Sequence, residues 1–233
     1  MAAQPHRRIT RKQIRRPDRF IVLVRQALDF VKKHKTPCMA ALGAAAVVVV
    51  GIGTWSVYSA RQHRLAAAEY SRAIDLFHQR KYNEALEGLA RVAIYRSTIY
   101  ATLGRLYQAH AYTGQKETTK AAETLRQVAD GGRGEPMLIQ IAHISLAHAQ
   151  EEMRQWQEAA QSYAAAEKLA GPFKADAILG RARAAALAGS LPEALAAYRL
   201  FLTENPESER RGEVALRIQE LESKVSPEAK AAK

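Results

Sequence analysis

Residues 37–60 read PCMAALGAAAVVVVGIGTWSVYSA, 24 positions in a row without a charged side chain. A helix of that length reaches roughly 36 Å at about 1.5 Å per residue, enough to cross a hydrocarbon core of about 30 Å. The flanks are unequal: residues 1–36 carry eleven Lys or Arg against two acids, Asp18 and Asp29. Positive residues next to a span stay on the cytoplasmic side. Trp55 and Tyr58 sit near the far end, where amphipathic rings favour the membrane–water interface. The expectation is one transmembrane helix over 37–60, an N-terminal arm inside and about 170 residues outside.

The net charge of +12 suggests nucleic acid until it is located. Nine of those charges belong to the arm, and the rest of the chain is close to neutral. A nucleic-acid surface covers one face of a folded domain, whereas this is a short arm beside a span, which argues against DNA or RNA. Anionic lipid attracts such an arm by about 1 kcal/mol per Lys or Arg, so lipid is the partner expected for it. Within the arm, Phe20, Leu23, Val24, Ala27, Leu28 and Val31 recur at helical spacing, opposite Arg19, Gln26, Lys32 and Lys33. That predicts an amphipathic helix over 17–35, either lying on the inner leaflet or extending the span up to a break at Pro37. Cys38 is the lone cysteine, so no intrachain disulfide forms, and it precedes the apolar run rather than following one as a lipoprotein cysteine does. The long arm and the long run also argue against cleavage as a signal peptide.

Beyond Leu65 the chain is rich in Ala, Gln, Glu and Arg, and no segment alternates apolar and polar over strand length. The domain is therefore expected to be all-α, and it repeats. KYNEALEGLARVA, TKAAETLRQVA, WQEAAQSYAAAE and LPEALAAYRLFL each carry an alanine, a larger apolar residue four later and an apolar or small one three after that. The sets are Ala85, Leu89, Val92; Ala121, Leu125, Val128; Ala159, Tyr163, Ala166; and Ala194, Tyr198, Phe201, the alanines falling 36, 38 and 35 residues apart. The alanine lets two helices approach, and the larger residue fills the space one turn along.

This pattern resembles the tetratricopeptide repeat, a helix–turn–helix unit of about 34 residues. First helices match through Leu103-Gly104 with Tyr107 and, in part, Leu146-Ala147; Glu69 and Arg72 match poorly. Asn205-Pro206 closes the last unit, Gly114 and Gly189 mark turns within units, and Gly131–Gly134 and Gly171-Pro172 separate units. The architecture that follows is a solenoid of about four repeats over 65–206. A polar-faced capping helix over 207–225 and a disordered tail over 226–233 complete it.

Catalytic and metal chemistry finds little support. His148 with Glu151 or Glu152 has helix spacing suited to metal ligands, but no second such pair completes a site. The glycine run lacks the lysine of a phosphate-binding loop, and no Ser, Cys or Asp stands in a nucleophile motif. No catalytic residue, cofactor or metal is expected. What remains is the groove lined by first helices, where helical phase places Tyr70, Phe77, Arg105, Gln108, His148, Glu151 and Arg183. Aromatic and Arg side chains are frequent anchors at protein interfaces, although Tyr70 and Phe77 equally suit a core.

A basic arm containing RKQIRRPDRF, one span and a four-repeat domain together resemble the YfgM-like family of ancillary translocon subunits. The resemblance implies a protein of the inner membrane whose repeats face the periplasm, next to the SecYEG translocon and periplasmic chaperones. Two other readings share the sequence features: a scaffold for envelope, division or appendage assembly, and a regulator of an enzyme or an enzyme with a hidden metal site.

Overall fold

The computed structural model describes residues 19–131 and 134–231; the first 18 residues of the arm, Gly132 and Arg133 of the glycine run, and residues 232–233 lie outside the described part. Among the described residues there are ten helices and no strand. The chain divides into two units, Met1–Tyr58 and Ser59–Lys233.

In the first unit, α1 (Arg19–Lys33) is followed, after a turn at His34, by the N-terminal part of α2 (Lys35–His78), whose residues from Ser59 on belong to the second unit. Pro37 falls in the first turn of α2, where a missing N–H is tolerated. The helix does not stop at Ala60. No Gly or Pro occurs between Thr54 and His78, and Ala, Arg, Gln and Leu there are good helix formers, so α2 carries the apolar run straight into the first repeat. Among the described residues α2 is the helix long and apolar enough to cross a membrane, and the side chains of its apolar stretch are uncovered by protein.

The second unit continues with α3 (Tyr82–Val92), α4 (Ile99–Gly114), α5 (Thr118–Asp130), α6 (Pro136–Glu152), α7 (Trp156–Glu167), α8 (Lys174–Leu187), α9 (Leu191–Glu204) and α10 (Arg211–Ala231). From α3 on, each helix packs on the next, and α4 also touches α6, as in a solenoid of helical pairs. The last helix begins after the expected Glu207 and extends past the expected Val225, as far as Ala231. Its Val214 and Leu221 are buried on the preceding repeat, while Leu216 is exposed.

The repeat alanines Ala85, Ala121, Ala159 and Ala194 are completely buried. Twelve residues before each stands a second small residue in the partner helix: Ala73, Ala109, Ala147 and Ala182, all at most 1% exposed. Small residues on both sides are what let the helices of a pair approach. A Cβ added at Gly88 would lie 2.9 Å from the Cβ of Ala73. Gly104 faces Val92 of the preceding repeat, where an added Cβ would stand 3.3 Å away.

The turn inside each repeat is one device used four times. Arg80, Lys116, Arg154 and Gly189 have φ of 59°, 63°, 58° and 81°, each five residues before a repeat alanine. The next amide then reaches back across the turn: Lys81 N to Leu76 O, Glu117 N to Tyr112 O, Gln155 N to Gln150 O and Ser190 N to Ala185 O, at 2.8–3.0 Å. This left-handed closure satisfies carbonyls that the helix end leaves free. Gly114, expected as the turn residue of its repeat, is the last residue of α4 and lies under the ring of Tyr82.

Between repeats, Gln140 is fully buried and clasps the turn after α7. Its Nε2 donates to the carbonyls of Ala166 and Leu169 at 3.1 and 3.4 Å, and its Oε1 accepts from the Phe173 amide at 3.3 Å.

Candidate functional site

Two clusters of side chains stand out on the first helices of the solenoid. At its N-terminal end the ring of Tyr107 on α4 sits 5.8 Å from Tyr70 and 5.4 Å from Phe77, both on α2, in edge-to-face geometry. Tyr100 adds a further contact to Tyr70 at 5.5 Å, and Tyr82 one to Phe77 at 5.7 Å. Such pairs contribute about 0.5–1.5 kcal/mol beyond the area they bury. Burial, with Tyr107 alongside, pushes the Tyr70 hydroxyl well above its ordinary range, so it stays protonated. Tyr70 and Phe77 are half-buried: they tie α2 to α4 and still present an edge to solvent.

Toward the other end, Glu151 on α6 is the centre of a polar network. Arg183 on α8 reaches it from Nε and Nη2, at 3.1 Å to Oε1 and 3.0 Å to Oε2. The Tyr163 hydroxyl donates to Oε2 at 3.2 Å and accepts from Arg183 Nη2 at 3.1 Å. His148 Nδ1 lies 3.1 Å from that hydroxyl and 3.4 Å from Oε2. Burial alone would raise the carboxyl; the hydrogen bonds from His148 and Arg183 and the Arg183 charge outweigh it and hold Glu151 down to about 2. The hydrogen bond to Glu151 raises the Arg183 guanidinium further, and burial pushes Tyr163 up. Glu151 therefore remains an anion and Arg183 a cation across ordinary pH.

Next to this network the surface is indented twice. A cleft of about 310 Å³ opens beside His148, Tyr163 and Arg183. A larger one, about 670 Å³, runs between α8 and α10 with Leu179, Leu187 and Leu221 as apolar lining and Arg217 and Lys224 at its margin. Arg183, Leu179 and Arg210 belong to both, so the two are neighbours along one face.

Five of the seven groove residues named from the sequence thus fall into these clusters: Tyr70 with Phe77, and His148 with Glu151 and Arg183. The other two do not join them. Arg105 lines a separate cleft with Thr102, Gln127 and Val128, on the side of α4 turned to α5. Gln108 follows Gly104 by one turn, on the side of α4 turned to α3. Ala109 is the small, buried residue of α4. Tyr163 buries its ring against Gly180, as the larger residue of its repeat set is expected to, and its hydroxyl emerges into the network. Trp55 and Tyr58 are exposed on α2 with their rings 6.2 Å apart. Among the described residues no three His, Cys, Asp or Glu side chains stand together as metal ligands would.

A tetratricopeptide repeat-like domain family matches residues 29–223, from within α1 to within α10. Among solved structures, the apo form of RapI aligns at 13% identity over 63% of this chain, with a TM-score of 0.52, and this chain spans 58% of RapI's length. The putative kinesin light chain repeats of Podosopora anserina align at 16% identity over 71% of this chain and 98% of theirs, with a TM-score of 0.50. Both likenesses concern the fold. Comparison with curated proteins found no match. On the family match, which covers most of its length, the chain belongs to the tetratricopeptide repeat-like domain family.

Proposed function

We propose that this protein is a membrane-anchored scaffold that holds segments of partner proteins on the inner face of its repeats, outside the cytoplasm. Repeats of this family supply a protein-binding surface, and the paired clefts around Arg183 give that surface apolar floor and fixed charge within one face. The observation that carries the anchoring is the run of exposed apolar side chains along α2, with nine net positive charges before it. Trp55 and Tyr58 mark the outer interface in this reading. Confinement to a membrane raises the local concentration of groove and client, so a modest groove suffices. In this reading the protein is non-catalytic, and the charged groups around Glu151 are locked to one another rather than poised for proton transfer. In finer detail, the resemblance of arm, span and four repeats to YfgM-like proteins supports a place in the inner membrane beside the Sec translocon and periplasmic chaperones. Client proteins of envelope assembly are the competing occupants.

Paired reporter fusions after Lys233 test the anchoring. A periplasm-dependent enzyme is expected to be active there and a cytoplasm-dependent fluorophore dark; the reverse pattern overturns the orientation. Neutralising the arm's arginines should then mix the two, since Lys and Arg near a span set its direction.

A further inference from the structure

The helix α1 (Arg19–Lys33) precedes the membrane-crossing stretch and is sharply two-sided. At about 100° per residue, Phe20, Leu23, Val24, Leu28, Phe30 and Val31 fall within one half of its circumference. Arg25, Gln26, Asp29, Lys32 and Lys33 fall within the other, with Val22 among them and Ile21 at the boundary. The apolar half is uncovered: Phe20, Leu23, Leu28 and Phe30 are 54–72% exposed. An apolar strip of this size in water marks a surface that something covers.

Position and charge identify the cover. Two residues after α1 ends, α2 begins the stretch that is apolar enough to cross a bilayer, so the C-terminal end of α1 lies at the bilayer surface if that stretch is inserted. Its polar half is cationic, Arg25, Lys32 and Lys33 against Asp29, and Lys35 and the arginines upstream carry the same sign. A two-sided helix with cations on the wet face and Phe and Leu on the other sinks about 5–10 Å into the boundary between headgroups and acyl chains. A span-like extension would need apolar residues all round, which Arg25, Lys32 and Lys33 prevent.

We propose that α1 lies in the plane of the cytoplasmic leaflet, with its apolar half among the acyl chains and its cations on anionic phospholipid headgroups. This rests on the anchoring half of the proposed function and is independent of the groove. The helix then acts as a second hold on the membrane and binds best where anionic lipid is enriched, because each cation adds attraction there and none over neutral lipid.

Nitroxide labels on the full chain, with Cys38→Ser as background, test it in vesicles of phosphatidylcholine with or without phosphatidylglycerol. Labels replace Leu23, Gln26 and, within the span, Val48, and their collisions with oxygen and with a water-soluble nickel chelate are compared. In anionic vesicles the Leu23 label is expected to favour oxygen several-fold over the Gln26 label, with Val48 fully in lipid. The contrast between Leu23 and Gln26 should shrink in phosphatidylcholine alone and in the triple variant Arg25→Glu, Lys32→Glu, Lys33→Glu. Lipid contact at both Leu23 and Gln26 would show an extended span, and water contact at both an unengaged helix; either overturns the proposal. So does spin–spin broadening at Leu23 that unlabelled protein dilutes away, since a second copy would then cover the face. An unchanged contrast in neutral vesicles removes the headgroup recognition, and a water-exposed Val48 label overturns the anchor and this proposal together.

Discussion

Arg183 grips both carboxylate oxygens of Glu151, at 3.1 and 3.0 Å, and so joins α8 to α6 from 32 residues away. The Tyr163 hydroxyl bonds both partners, which makes the pair part of a three-helix tie rather than a loose surface contact. Glu151 is only 15% exposed while Arg183 is half exposed, so the carboxylate is shielded and its cation faces the groove.

The depressed carboxyl gives this tie a pH signature. Glu151 ordinarily titrates near 4.5 and is held at about 2, so its contribution is complete above the ordinary value and is lost as pH falls toward 2. Glu151→Gln is expected to lower stability at neutral pH by about 1–2 kcal/mol, solvent screening at the exposed guanidinium included. Denaturant melts of the second unit between pH 7 and pH 2 check this: wild type and variant should converge at the acid end. Coincident curves would show that the pair contributes nothing, and a constant offset that the loss does not come from the Glu151 charge.

Gln140 offers a sharper structural test. Gln140→Leu keeps most of the volume but strips hydrogen bonds from the carbonyls of Ala166 and Leu169 and from the Phe173 amide. Leaving buried polar groups unpaired costs about 1–3 kcal/mol each at most, so a loss in that range is expected. The Phe173 amide should exchange with solvent faster in the variant, while the Lys81 amide, in the first repeat, keeps its rate.

The four turn residues with positive φ differ in what they tolerate. Gly189→Ala places a Cβ in the left-handed region and should cost about 1 kcal/mol, whereas Arg154→Gly relieves the same strain and is neutral to stabilising. Gly212, in α10 with open space around it, is the control, and Gly212→Ala should stabilise slightly. Thermal melts read all three; equal losses at Gly189 and Gly212 would remove the turn explanation.

How much of this was legible depended on which signal each feature leaves in a sequence. The second helices announced themselves, because Ala85, Ala121, Ala159 and Ala194 are followed by large apolar residues at fixed spacing, and burial enforces that pattern. The first helices leave a weaker signal: Ala73, Ala109, Ala147 and Ala182 recur with the same periods, but alanine is too common in this domain for that spacing to stand out. The turns gave little signal because Arg80, Lys116 and Arg154 occupy a conformation usually betrayed by glycine. The Glu151 network was half visible, since His148 and Glu151 share a helix face by spacing. Arg183 and Tyr163 join them through packing of separate helices, which no local pattern encodes.

The groove itself is tested by placing a photo-crosslinking amino acid at His148, on the inner face, and at Glu158, exposed on α7, in the full chain in its native membrane. Discrete protein adducts are expected from His148 and not from Glu158, and they should weaken when Arg183→Ala is added, with the fold intact by circular dichroism. Adducts that contain translocon subunits or their chaperones would favour that partner, and envelope-assembly proteins the other. The same adducts from both positions, or none from His148 while the protein sits folded in the membrane, would contradict a protein-binding inner face.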